Sequence, residues 1–532
     1  MKFALRDFRC LWLSCLFWTS CLAFIFDGPE LEFDGVRYSP SQYNETGDYY
    51  LYSNIRYAAP PVRDLRWAKP QLPRASDPSV DPNANVTCTQ VTPNWWNITG
   101  FPGGFTGGVE DCLFLDVYVP RNQTNYGETP IMLWIHGGGF ITGSKTASGD
   151  PSGLLWAADE PIIYVAINYR LGGLGFLAGQ EVATAGVANA GLHDQRAAFR
   201  WAQDHIAAFG GNPADITVFG ESAGAASIMY HLTGYGGKDC PPFRRAILQS
   251  NGFCPWRGHA NNEARFLAFA NAAGCSDLEC LRNASTEAVI QANINLLVNS
   301  TEMYQPQIDG NLVPDYPGWL LSTGKFCSDV EIMVGNNDDE GGWMLNNPAV
   351  HEVAYSNDTS KANIEKGFTF GLGTPLTTGV MERLLELYPA PSNRTSYSDM
   401  LGLMTLFQSE QNFLSSTFAI VNAWKKHVFA YKFSVGYAIH AMDVPYTYYD
   451  GPTAEVKNAT AAIALQKYLT RFAITGDPNQ KPAKTDTLPL FLRMDTSMTK
   501  PVFKIDDSSY EYVSDDYFMN ERTEFLASGL WI

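Results

Sequence analysis

The chain has 532 residues, 45% of them hydrophobic, which is ample for a large buried core. Its formal net charge is −18 and no block of lysines or arginines stands out, so nucleic acid is excluded as an expected partner. The acidity is read as a contribution to solubility.

At the N-terminus, Lys2, Arg6 and Arg9 precede a charge-free, mostly apolar run from Cys10 to Phe26. An uncleaved membrane anchor is the alternative, but the run is short for a span of about 20 residues. A signal peptide over residues 1–23 is expected, with Cys21 and Ala23 as the small-residue cleavage site. Residues 24–532 then form one domain with no stable membrane anchor. Glycosylation sequons fit a secreted or secretory-pathway chain: Asn44, Asn85, Asn97, Asn122, Asn283, Asn299, Asn357, Asn393 and Asn458 each precede Ser or Thr by two residues. Cys10, Cys15 and Cys21 fall in the leader. Cys88, Cys112, Cys240, Cys254, Cys275, Cys280 and Cys327 remain, an odd number, so at least one is unpaired within the chain. Disulfides are the default reading in an oxidising compartment. No Cys-x-x-Cys or His-rich cluster argues for a metal.

Through the middle of the chain, apolar runs alternate with helical patterns. Ile131 to Ile135 reads as a buried strand, and it runs through His136 into Gly137-Gly138-Gly139. Consecutive glycines let backbone N–H groups face a ligand oxygen; a flexible turn is the alternative. Ile162 to Ile167 reads as a second strand and Asp194 to Phe209 as a helix. Ile216 to Phe219 is a further strand, and it feeds Gly220-Glu221-Ser222-Ala223-Gly224 and then a small-residue helix start. Strand, sharp turn and helix around a glycine-flanked serine form a nucleophile elbow. Gly220 and Gly224 are required where side chains would collide with the neighbouring strand and helix. Ala246 to Gln249 and Ile332 to Val334 are short strands, and Val428 to Phe433 is another. The stretches 262–323 and 363–424 read as mainly helical and are expected to roof the sheet. Strands separated by helices predict a parallel sheet covered on both faces, with ligands at the carboxyl ends of its strands. Ser222 falls at such an end.

A serine hydroxyl needs a base, the base needs an orienting acid, and the attacked carbonyl needs oxyanion donors. Gly138, Gly139 and Ala223 are the expected donors.

These motifs together resemble the type-B carboxylesterases, the family that includes cholinesterases and fungal lipases, and most of all its secreted fungal members. The resemblance extends to Ile55-Arg56-Tyr57-Ala58 with Pro60-Pro61, and to Glu110-Asp111-Cys112-Leu113, where Phe114 replaces the more usual Tyr or Thr. It continues through Asn168-Tyr169-Arg170, Gly191-Leu192-His193-Asp194-Gln195 and Phe209-Gly210-Gly211-Asn212-Pro213. It implies an α/β-hydrolase fold: a mostly parallel central sheet, helices on both faces and large helical insertions over the active site. It implies Glu340, before Gly341, as the acid, with Asp338 and Asp339 as rivals. It implies His440 as the base, and Ser222, Glu340, His440 is the α/β-hydrolase order. His136 and His193 lie on the wrong side of the serine for that order.

The resemblance also implies structural ion pairs Arg66–Glu110 and Arg170–Asp194, and places Glu221 at the pocket and Ser250 behind the acid and base. It implies bridges Cys88–Cys112 and Cys275–Cys280, the first closing a loop that carries Trp95, Trp96 and Phe101 near the entrance. Among Cys240, Cys254 and Cys327 the pairing stays open; Cys240–Cys327 is one choice, because both precede strands expected to be neighbours, and Cys254 would then be free. The activity implied is hydrolysis of a small-molecule ester through an acyl-enzyme, with no metal or organic cofactor. A triacylglycerol lipase, an esterase or acyltransferase acting on a secreted metabolite, and a non-catalytic adhesion protein are the alternatives; the last is disfavoured because all three triad residues are present.

Overall fold

The computed structural model describes residues 28–98, 101–123, 126–252, 258–373, 376–479, 488–494 and 499–531. The expected leader, residues 1–23, lies outside the described residues, as does Cys254. Among the described residues eleven strands form the main sheet. In chain order they are β1 (Gln42–Asn44), β2 (Tyr49–Arg56), β3 (Phe114–Pro120), β4 (Thr129–Ile135), β5 (Ile163–Ile167), β6 (Gly211–Glu221), β7 (Arg245–Gln249), β8 (Glu331–Asn337), β9 (Phe429–Ser434), β10 (Val502–Asp506) and β11 (Tyr510–Val513). Their spatial order is β11-β10-β9-β8-β7-β6-β4-β5-β3-β2-β1. The strands from β10 to β5 pair in parallel; β11 at one edge and β3, β2 and β1 at the other pair antiparallel.

The central strands are buried on both faces, as a covered parallel sheet requires. In β4, Ile131, Leu133 and Ile135 enter one apolar layer, and Met132 and Trp134 enter the other. The first layer is closed by the helices α1 (Ala190–His205) and α2 (Ala223–Leu232) through Ala198, Phe199, Trp201, Ile228 and Met229. Later helices include α3 (Met400–Ser409), α4 (Ser415–Ala423) and α5 (Ala459–Thr475). The second layer is closed by α5 through Leu465, Tyr468, Leu469 and Phe472. A last helix, α6 (Glu521–Ser528), packs near the end of the chain.

Two expectations shift. The helix predicted from Asp194 begins at Ala190, after left-handed Asn189, and ends at His205; Ile206–Phe209 is a 3-10 turn. The stretch 262–323 is helical only in part: helices Gly258–Ala272, Leu278–Asn283 and Thr286–Leu297 give way to an irregular run before Pro317–Ser322. Pro306 and Pro314 lack the N–H a helix needs, and Asp309 instead closes a turn by accepting from the N–H groups of Asn311 and Val313. This run leaves from the carboxyl end of β7, and the helical run ending in α3 and α4 leaves from the carboxyl end of β8. The chain passes from β4 to β5 on one side and then to β6 on the other, so the sheet's topological switch point lies at β4 and β6.

Candidate active site

Ser222 sits at that switch point, one residue past β6. Its backbone is left-handed in φ, 55° with ψ −119°, in the sharp turn that ends the strand and starts α2. The two flanking glycines have the role anticipated for them. A Cβ on Gly220 would lie 2.7 Å from the Ile135 carbonyl oxygen, and one on Gly224 would run into the same oxygen. The serine hydroxyl is thereby carried on backbone geometry that adjacent β4 enforces.

His440 and Glu340 reach it from the ends of the next strands. The imidazole Nε2 lies 2.9 Å from Ser222 Oγ, and Nδ1 lies 2.8 Å from Glu340 Oε2. Glu340 is almost fully buried, and its Oε1 accepts from Ser250 Oγ at 2.7 Å and from the Asn337 N–H at 2.7 Å. Ser250 thus touches the acid. Asp338 and Asp339, the rival carboxylates, point elsewhere: Asp338 pairs with Lys432 and Asp339 accepts from the Gly342 N–H.

The ring of His440 has Phe413 beside it at 4.2 Å, tilted by 30°, and Trp343 stacked at 5.5 Å and 27°. Phe413 belongs to a π-turn, Glu410–Leu414, inserted between α3 and α4. Its first residue, Glu410, is fully buried and is held by Arg522, Asn520 and Tyr388. Ser409 Oγ accepts from the Gly341 N–H, next to the acid, and Thr417 Oγ1 donates to Asn336 Oδ1.

Burial alone lowers the His440 pKa, but Glu221, Glu340 and Asp443 outweigh it, and the net shift is upward from the ordinary imidazole value. Glu221 lies 3.4 Å from Nε2 and is pushed up to about 8, by burial first, with Asp443 and Glu340 adding to the rise against His440. Asp443 is also raised by burial and by Glu340, and it accepts from Gln249, Asn337 and Tyr431. His136 is held down at about 4 by burial, and His193 at about 3 by burial and four nearby cationic side chains. Neither reaches the serine.

Gly138 and Gly139, with φ of 103° and 59°, turn the chain away from β4 beside Ser222. No acceptor among the described residues takes the N–H groups of Gly138, Gly139 or Ala223. Ala223 opens α2, so its N–H lies at the positive end of that helix. The serine opens into a pocket of about 500 Å³, part of it open to solvent, walled by Trp96, Phe140, Ala226, Met303, Trp343 and Phe413, with Gln305 and Asn412 as amides. Among the described residues no group of His, Cys, Asp and Glu could hold a metal ion. No helix among them is long and apolar enough to cross a membrane.

The expected ion pairs close in two-pronged form. Arg66 donates to both Glu110 oxygens at 2.7 Å, and Arg170 donates to Asp194 at 2.7 and 2.8 Å. Cys88–Cys112, Cys275–Cys280 and Cys240–Cys327 are bonded. Trp96 walls the pocket and Trp95 stacks on Trp343 at 6.0 Å; the Phe101 side chain lies outside the described residues. Sequence reasoning passed over Trp343, Phe413, Asn412 and Gln305. Trp343 stands three residues beyond Glu340, a spacing that keeps it on the same turn. Nothing in the local sequence around Phe413, Asn412 or Gln305 marks them.

Of the sequon residues, Asn85, Asn122, Asn283, Asn299, Asn357 and Asn393 are exposed. Asn44 and Asn458 are half-buried and use both ends of their amides. Asn44 donates to Tyr49 and Ser152 and accepts from two backbone N–H groups; Asn458 caps α5 and donates to the Asp507 carbonyl. The Asn97 side chain lies outside the described residues.

A serine at the switch point of such a sheet, in line with a histidine and a buried carboxylate, defines the class of α/β-hydrolases. Comparison with known proteins narrows it. The Carboxylesterase family model matches residues 33–525. The carboxylesterase patB of Aspergillus clavatus is 30% identical over 504 residues, which span 85% of this chain and 89% of that protein. The patB protein of Penicillium expansum is 31% identical over 525 residues, or 88% of this chain and 92% of that protein. The crystal structure of Aspergillus niger EstA superposes with a TM-score of 0.75 at 26% identity, over 94% of this chain and 97% of that one. The chain belongs to the carboxylesterase family and is a carboxylic-ester hydrolase.

Proposed function

We propose that the chain is a secreted serine esterase with Ser222 as nucleophile, His440 as general base and acid, and Glu340 as the carboxylate that orients it. The observation that carries this reading is the unbroken series Ser222 Oγ, His440, Glu340 beside three amide groups that have no acceptor among the described residues. Unprotonated Nε2 takes the Oγ proton as Oγ bonds to the ester carbonyl carbon. The carbonyl oxygen becomes an oxyanion that the N–H groups of Gly138, Gly139 and Ala223 bind. The carbon–oxygen bond to the alcohol then breaks, and the alcohol leaves with the proton from Nε2. Water attacks the acyl-enzyme by the same route, giving its proton to His440, which returns it to Ser222 as the acid departs. Glu340 accepts from the Nδ1 side of the ring and so holds the tautomer with Nε2 free.

A fluorophosphonate probe is expected to label the wild-type protein at Ser222 and to leave Ser222→Ala unlabelled. Undiminished labelling of the variant excludes Ser222 as the nucleophile. A burst of 4-nitrophenol from 4-nitrophenyl acetate is the expected sign of the acyl-enzyme.

Secretion is supported by the apolar leader, the three disulfides and the sequons. The mature chain is taken to be one catalytic unit, residues 24–532. The six exposed sequon residues are the expected glycan carriers, and Asn44 and Asn458 are expected to stay bare. N-terminal sequencing and peptide mapping after deglycosylation test these points, and a retained leader overturns the secreted assignment.

A further inference from the structure

The Gly139 N–H, one of the three amide groups beside Ser222, is aimed by atoms outside its own turn. In a trans peptide the carbonyl of one residue and the N–H of the next share a plane and point in opposite directions. The direction of the Gly139 N–H is therefore set by whatever fixes the Gly138 carbonyl. That carbonyl accepts from the N–H groups of Ile141 and Thr142, both at 3.0 Å, which folds 138–142 into a tight turn. The turn has no slack, since a Cβ on Gly138 would run into the Thr142 carbonyl oxygen.

The far side of the turn is held by Gln90. This buried side chain sits two residues past Cys88, on the short strand Gln90–Val91, which pairs with Thr106–Gly107 inside the Cys88–Cys112 loop. Its Oε1 accepts from Thr142 Oγ1 at 2.8 Å and from the Gly143 N–H at 2.9 Å. A backbone N–H only donates, so the Gly143 bond also fixes which end of the amide faces the turn. Thr142 is buried as well, and neither donor has another acceptor among the described residues. Gln90 itself stands outside the residues that wall the pocket. The other two amide groups are aimed separately. The Gly138 N–H shares its plane with the Gly137 carbonyl, which accepts from His136 Nδ1 at 2.8 Å, and the Ala223 N–H is carried by the elbow.

We infer that Gln90 is a positioning residue for the oxyanion: through Thr142, Gly143 and the Gly138 carbonyl it aims the Gly139 N–H at the oxygen that becomes charged. This rests on the serine-esterase reading of the same site. A donor turned off its line matters most when the carbonyl oxygen is an anion and least in the bound ester. Loss of Gln90 should therefore lower kcat and spare KM.

The test is Gln90→Leu, which removes the accepting oxygen with little change of volume. The Val91 N–H still donates to the Ile141 carbonyl at 2.9 Å, so the turn stays docked. Titration with a fluorophosphonate counts the active serines, and rates on 4-nitrophenyl butanoate are taken per titrated site, so a reduced folded fraction cancels. The expected result is a kcat about 10–100-fold lower with KM within about twofold. A trifluoromethyl ketone reports the oxyanion directly. Ser222 Oγ adds to its carbonyl carbon, the proton passes to His440, and the oxygen becomes the anion. Its affinity should fall by a factor like that of kcat, whereas the matched methyl ketone, bound as an uncharged carbonyl, should bind as before. Thr142→Val removes one of the two bonds to Gln90 and should show the same pattern by a smaller factor; it decides the matter if Gln90→Leu yields no folded protein. An unchanged kcat per site, or equal weakening of both ketones together with a raised KM, overturns the inference and leaves the esterase reading standing. A wild type that neither takes up the probe nor turns over the ester overturns both.

Discussion

The elbow at the end of β6 and the acid–histidine edge at the ends of β8 and β9 hold their reacting groups by different means. At the elbow the serine is fixed by main chain: a left-handed φ, two glycines pressed on the Ile135 carbonyl, and a Ser222 N–H bonded to the Gln249 carbonyl. At the other edge the geometry is held by side chains. Ser250, Ser409 and Thr417 tie the acid loop to its surroundings, and Phe413 and Trp343 cover the imidazole. A site stored in backbone tolerates almost no change, whereas one stored in side-chain bonds should degrade by degrees.

The largest effect should come from deleting the shared element. His440→Ala is expected to lower kcat by about 10⁴-fold or more with the fold intact, measured by ester hydrolysis and circular dichroism. A break confined to the elbow should appear as lost stability. Gly224→Ala forces a methyl onto the Ile135 carbonyl and is expected to cost about 3 kcal/mol in urea unfolding; an unchanged midpoint would show that β4 gives way.

On the acid side the losses should be smaller and mainly kinetic. Ser409→Ala removes the acceptor for the Gly341 N–H and is expected to lower kcat about tenfold through misplacement of Glu340, with KM little changed. A loss equal to that of His440→Ala would erase the distinction between the two regions.

The finest probe is pH. His440 must be unprotonated to act, and its pKa is raised, so activity should already decline as pH falls to a point above about 6.5. Glu221→Gln removes a neighbour that raises it, so the acid limb of kcat/KM should move to lower pH. Stability carries the opposite sign. The Glu221 pKa is higher folded, about 8, than unfolded, so its contribution is complete below about 4.5 and is lost as pH rises through about 8. Glu221→Gln should flatten the stability profile across that window, and unchanged profiles would show that Glu221 is not coupled to the site.

The same division explains what could be read from the sequence. Ile216 to Gly224 announces the elbow because the turn needs glycines at fixed offsets, and the runs at Ile131 and Ile162 announce buried parallel strands because both faces are covered. Glu340 and His440 were legible through motif order and the family resemblance. The antiparallel edge strands β1 and β11 were not read as strands, being short, mixed in polarity and fixed only by their partners. Phe413 and Asn412 were invisible because a π-turn adds one residue to a helix without a compositional mark, and its place is set by Glu410 meeting Arg522 over a hundred residues away.

The Cys240–Cys327 bond joins the approach to β7 with the approach to β8, across 87 positions, and so girdles the first roofing insertion. Closing a ring of that size removes about 4–5 kcal/mol worth of freedom from the denatured chain in the entropic account. That is a large part of the roughly 5–15 kcal/mol by which folded chains normally persist. Recombinant material made in a reducing cytosol should therefore be short-lived and prone to aggregate, and a single protease nick within the girdled segment should go unnoticed on a gel until dithiothreitol is added.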